Sequence, residues 1–147
     1  MVSNQILDDF KGVLSKEGMK YTQTRYDVLS YVIDMNDHQT CEDICNNLKS
    51  RGKDVSKATV YRTLDILVKY DFARKMDIGD GMLRYEKKVG TPHHDHMICI
   101  ESGDIIEFCS DEIERIQDSI AKRNGYEVVR HVHHLFVKPI KGSGAKK

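Results

Sequence analysis

The chain has 147 residues, 39% of them hydrophobic and 31% charged, with a formal net charge of zero. That length suits one ordinary domain or two small ones, and the balance is that of a soluble globular protein without a bulk nucleic-acid signature. No apolar run approaches the roughly 18 to 20 residues of a membrane span, and the first residues lack the basic-then-apolar pattern of a signal peptide, so no membrane association is expected and the cytoplasm is.

Gln5 to Lys16 carries Ile6, Leu7, Phe10, Val13 and Leu14 at helical spacing, with Gly18 to end it. Thr22 or Thr24 can cap a second helix to about Met35, with Val28, Leu29, Val32 and Ile33 as its stripe. After the polar break at residues 36–39, Thr40 and Asp43 hold capping-box positions for a helix over residues 41–50, with Ile44, Cys45 and Leu48 inward. Ser56 caps a fourth helix, Lys57 to about Tyr70. Val60, Leu64, Ile66 and Leu67, with Phe72, make its apolar face; Lys57, Thr59, Tyr61, Arg62 and Lys69 make the other. Residues 73–76 and 82–86 read as strands joined by the turn Gly79-Asp80-Gly81. Short helices followed by a basic hairpin suggest a winged helix-turn-helix, its fourth helix entering the major groove and its hairpin forming the wing. A small helical domain with an ordinary solvated face shows the same pattern.

Residues 87–92, with Gly90 and Pro92, read as a linker. The character then changes. His93-His94-Asp95-His96 places three imidazoles and a carboxylate directly before an apolar run. In a strand, alternate side chains face opposite ways. His94 and His96 then point to one side and His93 and Asp95 to the other, which can feed two separate metal sites; a solvated loop is the plain alternative. Residues 97–101 and 104–108 are strand-like, joined by Ser102-Gly103. Ser110 begins a helix to about Arg123 with Ile113, Ile116 and Ile120 inward, Asn124-Gly125 ends it, and Tyr126 to Val137 reads as one long alternating strand. Up to Pro92 there are 15 Lys and Arg against 14 Asp and Glu; from His93 to Val137 there are 4 against 9, which suits divalent cations. At roughly 45 residues this half is too small to bury a good core alone, so a β-rich dimerisation domain is expected. Residues 141–147 are expected to be disordered. Cys41, Cys45, Cys99 and Cys109 form no C-x-x-C pair and read as buried free thiols.

Four stretches then carry a resemblance. They are Ala58-Thr59-Val60-Tyr61-Arg62-Thr63-Leu64; Gly79-x-Gly81 with Arg84-Tyr85-Glu86; His93-His94-Asp95-His96-Met97-Ile98-Cys99; and Ile106-Glu107-Phe108. In this order, between Lys20 and about Val137, the chain resembles the ferric uptake regulator (Fur) family of bacterial metal-dependent repressors. The resemblance implies an α+β protein with a winged-helix DNA-binding domain over residues 1–86, a hinge over 87–92 and an α/β dimerisation domain over 93–140. It implies a regulatory metal site of His38, Glu86, His94 and His96 with Glu107 as fifth ligand, and a second site of His93, Asp95, Glu114 and His131. It places Tyr61 against a thymine methyl and Lys20 in the minor groove, with Thr59 on the same DNA-facing surface; Arg62 is chemically suited to guanine O6 and N7. His133 and His134 take no role from it and are expected to be ordinary strand residues.

Two departures matter. Cys99 matches the first cysteine of the family's structural zinc site, but Ser102 replaces the second and the C-terminal pair is missing, so that zinc is expected to be absent. Glu86 stands where peroxide-sensing relatives typically have Asp, which favours the iron-sensing branch. Imidazole and carboxylate donors suit Fe(II), Mn(II), Co(II) or Zn(II), and purified protein can carry Zn(II) whatever it senses. The expectation is therefore an Fe(II)-dependent, homodimeric repressor of iron homeostasis genes on double-stranded operator DNA, with higher oligomers open and no enzymatic activity. The competing readings are a manganese, zinc or peroxide sensor, a metal-buffering protein, and a metal-dependent hydrolase, although no general-base or nucleophile motif accompanies the ligands.

Overall fold

A computed structural model describes residues 1–142; most of the tail expected to be disordered, from Ser143 on, lies outside the described residues. The chain divides into two units, Met1–Thr91 and Pro92–Lys147.

Side-chain caps set where the helices of the first unit begin. They are α1 (Asn4–Lys16), α2 (Gln23–Asp34), α3 (Cys41–Ser50) and α4 (Lys57–Lys69). Ser3, Thr22, Thr40 and Ser56 each accept a hydrogen bond from the backbone N–H three residues on, an arrangement worth about 1 kcal/mol apiece. At α3 the Asp43 carboxylate also accepts from the Thr40 N–H, so Asp serves where Glu or Gln is usual. The inward stripes meet in one core of Phe10, Leu14, Val28, Leu29, Val32, Ile44, Leu48, Val60, Leu64 and Leu67, closed by Phe72 edge-on to Phe10.

Behind the helices lies an antiparallel sheet in the order β1-β3-β2: β1 (Gln39–Thr40), β2 (Ala73–Asp77) and β3 (Leu83–Lys87). The Asp77 and Asp80 carboxylates accept from the N–H groups of Gly79 and Met82, and Gly79 and Gly81 take the positive φ that the turn requires. This is the winged helix. The two-residue β1 is the element the sequence reading lacks.

The second unit holds β4 (Asp95–Cys99), β5 (Ile105–Phe108), α5 (Asp111–Arg123) and β6 (His134–Val137), in a sheet ordered β5-β4-β6. β5 runs antiparallel to β4 and β6 parallel to it. Ser110 caps α5; Asp111, Glu112 and Glu114 sit at its positive end and Lys122 and Arg123 at its negative end.

Two expectations are corrected here. Among the described residues none of α5 is buried, and Ile116 and Ile120 are 61% and 47% exposed rather than inward. A unit this small lacks the apolar mass to cover that stripe from within. The long strand from Tyr126 also shortens to β6. Extending the β6 register backwards would pair residues 126–133 with 88–95, where Pro92 offers no N–H. No helix among the described residues is long and apolar enough to cross a membrane.

Candidate metal centres

The second set of candidate ligands lies wholly in the Pro92–Lys147 unit. The parallel register that pairs His96 with His134, carried back three residues, sets His93 beside His131, and their rings meet edge-on with centres 4.5 Å apart. Asp95 opens β4, and Glu114 comes from the first turn of α5. His93 Nε2 and His131 Nε2 are 3.0 Å apart, and Asp95 Oδ1 lies 2.7 Å from His131 Nε2 and 3.5 Å from His93 Nε2. Glu114 Oε1 is 3.3 Å from the first imidazole and 3.5 Å from the second. All four donor atoms fall within 4.8 Å of one another.

Donors held about 2.05 Å from a tetrahedral ion stand roughly 3.3 Å apart, and the five distances straddle that value. Burial supports the same fit. Asp95 is 2% exposed, and its Oδ2 and Glu114 Oε1 are buried without a hydrogen-bond partner among the described residues. A carboxylate taken out of water costs several kcal/mol unless positive charge compensates it. Two carboxylates and two imidazole nitrogens converging on one point fit a divalent cation in charge, donor type and spacing. Gln117, one helical turn after Glu114, donates to Glu114 Oε2, and its amide nitrogen lies 2.8 Å from His131 Nδ1. It holds both candidate donors from behind, as outer-shell groups at metal sites do. The sequence reading missed it, although the i, i+3 spacing from Glu114 on one helix face is a legible signal.

The residues expected to form the regulatory site divide between the two units. In the first unit β1 pairs antiparallel with β3, Gln39 opposite Tyr85, and the next step of that register sets His38 against Glu86. His38 Nε2 is 2.9 Å from Glu86 Oε2. Arg74, the β2 partner of Glu86, donates to the other carboxylate oxygen at 3.2 Å and aims Oε2 at the imidazole. Arg74 was not singled out from sequence; a hairpin register centred on Asp80 would have found it.

In the second unit Glu107 of β5 pairs with His96 of β4. His94 Nδ1 lies 3.0 Å from the Pro92 carbonyl, and its Nε2 lies 3.5 Å from Glu107 Oε1. The His94 and His96 ring centres are 4.8 Å apart.

On α4, Tyr61 is 44% exposed and Arg62 is exposed, while Thr59 is half-buried with its hydroxyl 2.9 Å from that of Ser56. Lys20 is exposed in the α1–α2 connection. Among the thiols, burial and the neighbouring Cys45 push Cys41 up to about 12, which keeps it inert, whereas the Ser102 hydroxyl and the backbone N–H groups of Ser102 and Glu101 lower Cys99. Cys109 is exposed, which corrects its expected burial.

A winged helix with an arginine and a tyrosine displayed on its fourth helix, in a chain that also gathers nitrogen and oxygen donors able to hold a cation, has the architecture of a metal-responsive DNA-binding regulator. The chain belongs to the ferric uptake regulator family, whose sequence pattern matches residues 16–136. It is 38% identical over 133 residues to the ferric uptake regulation protein of Campylobacter jejuni, covering 89% of this chain and 84% of that one. Its fold is similar to that of the Helicobacter pylori ferric uptake regulator, described as having three functional metal-binding sites (TM-score 0.86, 28% identity, 100% and 97% of the two chains). It is also similar to the Pseudomonas aeruginosa ferric uptake regulator solved with manganese (TM-score 0.75, 32% identity, 88% and 96%). Proteins of this family are metal-dependent transcription regulators, so the hydrolase reading falls.

Proposed function

We propose that this chain is an Fe(II)-dependent repressor of iron homeostasis genes that binds double-stranded operator DNA as a homodimer. The observation that carries the reading is the His38–Glu86 pair: two metal-type donors, 2.9 Å apart, built into the winged helix itself. A divalent cation supplies positive charge and a restricted coordination geometry. His38 and Glu86 would act as its ligands from the first unit, and His94, His96 and Glu107 from the second. Ligands drawn from both units restrict the hinge at residues 87–92, and a dimer with restricted hinges presents its two recognition helices at one separation, as paired half-sites require. Five donors, all nitrogen or oxygen, favour Fe(II) or Mn(II) over tetrahedral zinc. The family resemblance to ferric uptake proteins supports iron; the manganese-bound relative supports a manganese sensor as the second reading. The exposed Ile106, Ile116, Ile120, Leu135 and Phe136 supply the apolar surface that a second copy would cover.

Binding to a genomic fragment library with Fe(II), Mn(II), Zn(II) or chelator, at one salt concentration, tests the proposal. Fe(II) should give the largest gain in affinity at metal concentrations where Zn(II) and Mn(II) give less; equal binding with chelator would sink it. Arg62→Ala should weaken operator binding by roughly 1–3 kcal/mol at the contacted base pair, with cation binding and dimerisation retained. An unchanged affinity and salt slope would remove α4 from the interface. Cobalt-loaded protein should show no intense sulfur-to-cobalt charge-transfer band, because Ser102 stands where a second thiolate would be; such a band would place a cysteine in the coordination sphere.

A further inference from the structure

The sheet of the second unit gives His134 a place beside the regulatory ligands. β4 is the central strand, and His96 on it is paired with Glu107 of β5 on one side and with His134 of β6 on the other. Directly paired residues project from the same face of a sheet. Glu107, His96 and His134 therefore form one transverse row, and His94, two residues before His96, shares its face. The next row back carries Phe108, Asp95 and His133 on the opposite face, and His133 packs edge-on against Phe108. The parallel register thus sorts the two histidines of β6 and its approach: His133 goes to the second centre's side and His134 to the regulatory side.

We propose that His134 is a further ligand of the regulatory cation, an inference that rests on the function proposed above. The ring centres of His96 and His134 are 5.6 Å apart, and those of His94 and His96 are 4.8 Å apart. A nitrogen about 2.1 Å from a metal puts its ring centre roughly 3.2 Å from it. Two imidazoles on one cation then stand about 4.5 Å apart at a right angle and about 5.5 Å apart at 120°. Both observed distances lie close to these values. His94, His96, His134 and Glu107 together make a four-donor set carried by the dimerisation unit alone. Such a set would retain the cation whether or not His38 and Glu86 are engaged, separating capture of the metal from its readout on DNA.

Full-length protein, titrated with Co(II) by equilibrium dialysis, should show two binding steps, and His131→Ala identifies the one belonging to the second centre. His134→Phe keeps a ring to pack against His96 and Phe136. It should leave the melting of metal-free protein unchanged, weaken the regulatory step at least tenfold, and remove one imidazole from the cobalt shell counted by X-ray absorption. His134→Asn, which keeps polarity without the ring, should do the same, so a folding defect in one variant does not decide the matter. If both variants keep wild-type affinity and imidazole count while His96→Ala abolishes the step, the regulatory reading stands and this assignment falls. If His96→Ala also leaves the step intact, the regulatory site is misplaced and His134 falls with it.

Discussion

Replacing His38 with alanine should reduce operator affinity in the presence of Fe(II) or Mn(II) to the level measured with chelator. Among the five proposed regulatory donors, His38 and Glu86 are the two carried by the winged-helix unit, and Glu86 already shares one oxygen with Arg74. Under that proposal the remaining donors would still hold a cation without His38, but would lose the imidazole that couples it to the unit bearing α4. Couplings of this kind are worth roughly 1–3 kcal/mol, about 5- to 150-fold in affinity, and most of that gain should vanish. Dimerisation should persist, because the exposed apolar residues proposed to support it lie after Pro92. Titrating operator binding against metal on the variant reads the effect directly. Full metal activation in His38→Ala would remove this residue from the coupling.

His131→Ala should fail differently, through stability. His131 ties the approach to β6 to Asp95 at the start of β4 and to Glu114 of α5, all within one unit. A cation bound there joins three elements that share little apolar contact, since no described residue of α5 is buried. A ligand that binds only the folded state, present at about 100 times its dissociation constant, stabilises by roughly 2.7 kcal/mol. Losing it should lower the melting temperature by several degrees in metal-replete buffer and remove most of the protein's response to added metal. The paired measurement is thermal melting and operator binding, each against metal. If His131→Ala melts like wild type but loses metal-activated binding, the roles assigned to the two centres are reversed.

Part of the candidate site was legible in advance. Alternation along His93-His94-Asp95-His96 predicts two opposed ligand faces, and the structure sorts the side chains that way: His94 towards Glu107, His93 and Asp95 towards His131. The family resemblance supplied the distant partners that alternation cannot name. Neither route reached Gln117, Arg74 or the position of His134, because each depends on what stands behind or beside a ligand once the strands are aligned.

The features that residues close in the chain specify are local. Ser3, Thr22, Thr40, Ser56 and Ser110 cap helices whose apolar stripes repeat every three to four residues, and Gly79-Asp80-Gly81 turns the wing. Each signal acts over at most a few residues, so neighbouring side chains suffice to specify it. Which distant segments lie side by side depends on the packed fold. A two-residue strand carries no periodicity of its own, yet β1 sets His38 opposite Glu86 by pairing with β3. The parallel register of β6 on β4 sets His93 beside His131 and His134 beside His96. The same pairing ended the alternating pattern from Tyr126 at four residues of strand, because a strand forms only where a neighbour offers backbone hydrogen bonds. The apolar stripe of α5 was read correctly as apolar and wrongly as inward: periodicity identifies the face that seeks cover, while burial depends on whether the rest of the unit has the mass to provide it.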